Sequence, residues 1–109
     1  MTAKPVIPRE RAVRDVEEIL DYYLAEGSEL AATGFIDALE RAYAHIGEHP
    51  ATGSSRYASE LDLPGLCSWP LARYPCLVFY VEREEHIDVW RVLHGKRDVP
   101  RWMQEPQEP

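Results

Sequence analysis

The residue types able to do chemistry in this chain fall in four places. His45-Ile46-Gly47-Glu48-His49 matches the H-x-x-E-H pattern, in which two histidines hold a catalytic zinc and a glutamate activates its water. Its context argues against that use: Pro50 follows at once, Gly47 lies inside, and no third ligand is evident. The segment reads as a solvated helix flank, and no metal is expected. Ser54, Ser55 and Ser68 have no histidine placed in sequence to serve as a base, so they read as surface-turn serines. Cys67 and Cys76, if they flank a hairpin turn near Arg73-Tyr74, differ by about four ladder positions, or roughly 13 Å, and read as free thiols. The fourth place is a basic cluster, Arg91, His94, Lys96 and Arg97, with Arg101 beyond it. A turn needs Gly95 for positive φ and Asp98 for capping, but not these cations, so they are expected to contact a partner.

Charge and composition narrow the classes. The chain carries 19 acidic against 12 basic residues, a net charge of −7, which disfavours direct nucleic-acid binding because phosphate contacts need clustered cations. No glycine-rich phosphate loop is present, and no cofactor is expected. No run approaches the roughly 18–20 apolar residues of a membrane span, and Met1-Thr2-Ala3-Lys4-Pro5 lacks a signal-peptide core, so a cytoplasmic protein without a membrane partner is expected. At 109 residues the chain is one domain long. That domain is expected to span residues 1–103, with a mobile tail over 104–109 that is rich in proline and glutamate.

The elements that must position these groups follow from periodicity. Lys4-Pro5-Val6-Ile7-Pro8, bounded by prolines, suits only an edge strand. From about Pro8 a helical stripe runs through Val13, Val16, Ile19, Leu20, Tyr23 and Leu24, and Gly27 stops it. Ser28 caps a second helix with Glu29 in its first turn and a stripe of Ala31, Phe35, Leu39, Ala42 and Ile46. One glycine between the two end signals predicts an antiparallel helical hairpin. After a loop from His49 to Ser55, the runs Leu66–Leu71, Cys76–Val81 and Ile87–Leu93 predict an antiparallel three-stranded meander. The expected fold class is α+β: an N-terminal antiparallel helical hairpin packed on a small antiparallel sheet, in the order β-α-α-β-β-β.

The segment Arg91-Val92-Leu93-His94-Gly95-Lys96-Arg97-Asp98-Val99-Pro100 resembles the closing signature of ParE toxins in the RelE/ParE superfamily. The resemblance extends back through Arg73-Tyr74-Pro75-Cys76-Leu77-Val78-Phe79-Tyr80, Leu63-Pro64-Gly65-Leu66 and Glu48-His49-Pro50 with Gly53 following. It also takes in the stretch from Phe35 to Ala42, and Asp15-Val16-Glu17-Glu18-Ile19 with Tyr22-Tyr23. These blocks occur in the family's order on the elements already assigned. Cys67, where many relatives carry a basic residue, and the acidic charge balance depart from the pattern.

The resemblance implies the toxin of a type II toxin–antitoxin (TA) pair, not an enzyme, which inhibits DNA gyrase by protein–protein binding. It would form a hetero-oligomer with a ParD-like antitoxin. Leu20, Tyr23, Phe35 and Trp69 are then the expected antitoxin contacts, and Arg91, His94, Lys96 and Arg97 the expected target or antitoxin contacts. The chief alternative is a RelE-like ribosome-dependent mRNA endonuclease, which needs a proton-transferring group and several cations around a scissile phosphate. No tyrosine follows Tyr80, and the aromatic of the last segment, Trp102, cannot act as an acid or base. The other alternative is a non-toxic member that only binds its antitoxin.

Overall fold

A computed structural model describes residues 3–94 of the chain. Helix α1 (Glu10–Ala25) ends where the pattern predicts. Gly27 adopts φ +77°, its N–H donates to the Leu24 carbonyl, and the Ser28 N–H donates to the Tyr23 carbonyl, which together form a Schellman cap. The Ser28 hydroxyl then accepts from the Ala31 N–H at 3.1 Å and starts helix α2 (Glu29–Glu48). One short cap thus closes the first helix and opens the second, giving the expected hairpin. A single 3-10 turn, Pro50–Thr52, leads away from α2.

Strands β1 (Val6–Pro8), β2 (Leu66–Pro70), β3 (Cys76–Glu82) and β4 (Ile87–His94) form one sheet in the order β1-β4-β3-β2. Strands β2, β3 and β4 are the predicted antiparallel meander. The sheet as a whole is mixed, because β1 pairs parallel with β4, Val6 opposite Ile87 and Pro8 opposite Val89. The α+β class stands with that one change in strand direction. A three-residue strand between prolines has no alternation long enough to indicate its neighbour or its direction.

Apolar residues cover both faces of the sheet. On the helical face, Phe35, Ala38, Leu39, Ala42 and Ile46 of α2 and Ala12 of α1 pack on Val78, Tyr80, Ile87, Val89 and Val92. On the other face Leu66, Phe79, Val81 and Leu93 are covered by Tyr57, Ala58, Leu61 and Leu63. Those covering residues come from, or follow, a short helix, α3 (Arg56–Glu60), that the sequence reading did not anticipate. Five residues are too few to show a helical period.

A bulge sets which residues of β4 face the helices. Tyr80 lies opposite Val89 and Phe79 opposite Arg91, so Trp90 is an extra residue on β4. Strict alternation would put Ile87, Val89, Arg91 and Leu93 on one face. Instead Ile87, Val89 and Val92 join the helical core, while Trp90 and Leu93 join the opposite one. Beside the bulge, Asp88 receives Arg9 through Nε and Nη2, both at 3.0 Å, and also Arg83 and the Trp90 indole. This cluster ties the start of α1 to the β3–β4 turn.

Candidate partner-binding surface

The α1–β4 contact is built on a buried ion pair. Asp15 lies on the inward stripe of α1 with Ala12, Val16 and Ile19, and is 3% exposed. A carboxylate there needs donors, and Arg91, 0% exposed, supplies two: Nε at 2.7 Å and Nη2 at 2.9 Å. The Val92 N–H donates a third bond to Asp15 at 3.1 Å. Arg11 approaches both Asp15 and Glu18 at 3.8 Å.

Above this pair runs a groove of about 260 Å³. Glu18, Ile19, Tyr22 and Tyr23 of α1 form one wall; Val92, Leu93 and His94 of β4 form the other, with Asp15 at the base. Tyr22 is 59% exposed beside Tyr23, their rings 5.5 Å apart in an edge-to-face arrangement. Tyr23 also meets Phe35 and Tyr74, and the Tyr74 hydroxyl donates to the Ala31 carbonyl at 2.8 Å across Gly34. A Cβ at position 34 would overlap that hydroxyl, so the glycine makes room for the strut. Burial, with Cys76, Tyr74 and Tyr22 nearby, raises the Tyr23 pKa. Its phenol therefore stays protonated near neutral pH and offers hydrogen bonding and apolar surface rather than a base.

The residues singled out from the sequence divide between this groove and other places. Tyr23 and His94 line the groove together. Leu20 is half-buried against the helical core. Two of these residues lie inside the fold. Phe35, expected as a contact, is 0% exposed beneath Tyr23 and Tyr74, because the α2 stripe turns it to the sheet. Arg91, expected at a partner surface, is spent on Asp15 inside the fold; it positions β4 against α1. Lys96 and Arg97 lie outside the described residues, as do the domain boundary near 103 and the tail over 104–109.

Trp69 sits on β2, two strands away from β4, and its ring stacks on His45 at 4.0 Å and 17°. Thr52 donates its only hydroxyl hydrogen to the His49 carbonyl, so the 2.8 Å contact between Thr52 Oγ1 and His45 Nε2 requires the hydrogen on Nε2. The His45 ring and the His49 carbonyl thus close the end of α2 through Thr52. Among the described residues, no group of three histidine, cysteine or acidic side chains is arranged to hold a metal ion.

Sequence reasoning missed Asp15, Glu18, Ile19 and Tyr22 as parts of one site. The available signal was Asp15 itself, an acid on an apolar stripe, matched by Arg91, a cation inside an apolar strand.

Fold and surface define a small α+β domain: a helical hairpin on a sheet, with an apolar, acid-rimmed groove where α1 meets β4. Residues 6–99 match the family model described as the ParE toxin of the type II toxin-antitoxin system, parDE, and the chain belongs to that family. A solved structure titled "Chromosomal ParDE TA system from P. aeruginosa" aligns over 86% of this chain and 98% of its own, with a TM-score of 0.71 and 14% identity. At that identity the likeness speaks for the fold. No curated protein sequence matches the chain at a significant level.

Proposed function

We propose that this protein acts as a toxin by binding DNA gyrase, is held inactive by a ParD-like antitoxin, and performs no catalysis. The observation that carries this reading is the family match over residues 6–99, on a fold whose interior chemistry is given over to structure. Arg91 and Asp15 neutralise each other, Tyr80 gives its hydroxyl hydrogen to the Pro50 carbonyl, and His45 is held by Trp69 and Thr52. Burial, with Cys67 close by, pushes Tyr80 up to about 12, and burial beside Asp15 pushes Tyr43 up to about 12. Both shifts lead away from the neutral range where acid–base catalysis operates.

The antitoxin contacts centre on Tyr23 and the groove, with Leu20 beside them and Trp69 at the far edge of the sheet. His94, with Lys96 and Arg97, contributes to target or antitoxin binding. Affinity comes from apolar anchors such as Tyr22 and Tyr23, with charge setting orientation. Among the described residues no helix is long and apolar enough to cross a membrane, and the site of action is the cytoplasm, where gyrase works.

The test is induction of this chain alone. Growth arrest with impaired supercoiling by purified gyrase and intact messenger RNA supports the reading. Cleaved RNA with normal supercoiling would replace it with the endonuclease, and unaffected growth with a non-toxic antitoxin-binding member.

A further inference from the structure

We propose that the groove between α1 and the end of β4 selects a basic amphipathic segment, whose apolar side chains fill the groove while lysine or arginine on one flank meets the acidic rim of α1. The inference rests on the reading of this groove as the antitoxin site and adds the chemistry of the segment that the site accepts.

The apolar half of the recognition comes from Ile19, Tyr22 and Tyr23 on one wall and from Val92 and Leu93 on the other. Asp15 at the base is committed to Arg91, so the floor asks for no further cation. The rim differs. Glu18 lines the groove with its side chain 57% exposed, and Arg11 approaches it at 3.8 Å, beyond hydrogen-bond reach. Glu17 and Asp21 are exposed on the same helix, and no lysine or arginine occurs between Arg14 and Arg41. Glu17 and Asp21 stand one helical turn apart, as do Glu18 and Asp21, spacings at which side chains are neighbours and like charges oppose each other. A cationic partner relieves that repulsion, and an anionic one adds to it.

Charge also weighs against the other occupants. A second copy brings the same acids and a net charge of −7, and a nucleic acid brings phosphates. The opposite wall, Val92 to His94, carries no acid, so only the flank of the segment that faces α1 has to be basic, and this asymmetry orients the segment in the groove. An exposed ion pair changes affinity by only roughly two- to fivefold. The apolar anchors therefore supply the strength, and the rim supplies the choice between one antitoxin and another.

The experiment immobilises the full chain and selects binders from a displayed library of random segments of about twenty residues. Segments that bind the wild type but not Tyr22→Ala are ligands of the groove. They should carry more lysine and arginine than acids, next to aromatic or aliphatic residues. For a synthetic peptide of the strongest such segment, Glu18→Gln and Asp21→Asn should each weaken binding by roughly two- to fivefold. Glu18→Lys combined with Asp21→Lys should turn the same selection towards acidic segments, with circular dichroism verifying that these exposed substitutions leave the fold intact. Three results would overturn the proposal: groove ligands that are neutral or acidic; no segment whose binding depends on Tyr22; or binding indifferent to the rim substitutions. A wrong assignment of the groove to the antitoxin shows itself differently: basic segments still bind there, but their co-expression does not relieve growth arrest by the chain.

Discussion

Replacing Asp15 by asparagine keeps the shape of the side chain and removes its charge, taking from the buried Arg91 guanidinium the carboxylate that accepts its Nε and Nη2 hydrogen bonds. Arg91 is 0% exposed, so water cannot take over from the lost carboxylate. Breaking one partner of a buried ion pair costs about 3–5 kcal/mol. That is a large part of the roughly 5–15 kcal/mol by which a domain of this size is stable. At about 4–8 °C per kcal/mol the midpoint of thermal unfolding falls by about 12 °C or more. Removing both charges together, as Asp15→Leu with Arg91→Met, restores most of the loss because no charge is left stranded. Recovery stays incomplete, since the Val92 N–H loses its 3.1 Å acceptor, at about 1–3 kcal/mol. Urea unfolding of the wild type, Asp15→Leu, Arg91→Met and the double variant, followed by circular dichroism with Asp15→Asn alongside, measures the coupling. An Asp15→Asn variant within about 1 kcal/mol of wild type would refute the claim that this pair holds α1 to β4.

Other consequences follow from neighbouring contacts. Gly53 has an ordinary φ of −67°, so Gly53→Ala acts only through space, its Cβ overlapping the Tyr80 hydroxyl; thermal melts should show a loss of about 1–3 kcal/mol, partly relieved by adding Tyr80→Phe. For Asp88, burial alone would raise the pKa, but hydrogen bonds from Arg9, Trp90 and Arg83 outweigh it and hold the carboxyl below its ordinary 3.8. A depressed carboxyl stabilises the fold above its unfolded value and loses that contribution as pH falls through the lower folded value. The wild type should therefore lose more stability than Asp88→Asn as pH falls below about 3.8, read by urea midpoints across that range. Burial pushes the Cys76 thiol up to about 11 and raises that of half-buried Cys67 less far. A disulfide reagent at pH 8 should label Cys67 slowly in the folded protein and Cys76 only after denaturation; equal rates would contradict the placement of Cys76 in the core.

Much of the architecture was legible because it is local. The stripe from Val13 to Leu24, Gly27 with Ser28, and the four-residue beat of Ala31, Phe35, Leu39, Ala42 and Ile46 each act within one or two helical turns, so composition and spacing specify the hairpin. The same is true of the three meander strands, whose short connections leave few alternatives to antiparallel pairing. The ParE resemblance, carried by blocks spread from Asp15 to Pro100, likewise needed no coordinates.

What the sequence left undecided depends on residues far apart in the chain. Trp90 becomes the extra residue of a bulge only when β4 is laid against β3, and that shift puts Val92 rather than Leu93 on the helical face. Strand β1 pairs in parallel with β4, Val6 opposite Ile87 about eighty positions away, a neighbour that no local pattern indicates. The basic residue Arg91 resembled a surface contact until Asp15, distant in sequence, was seen to neutralise it in the interior. Periodicity reports which side of an element is apolar; it does not report what stands opposite. The sequence alone determined the two long helices, the meander strands and the family, while the tertiary structure decided which polar residues pair inside and which line the groove, because those choices depend on packing between distant segments.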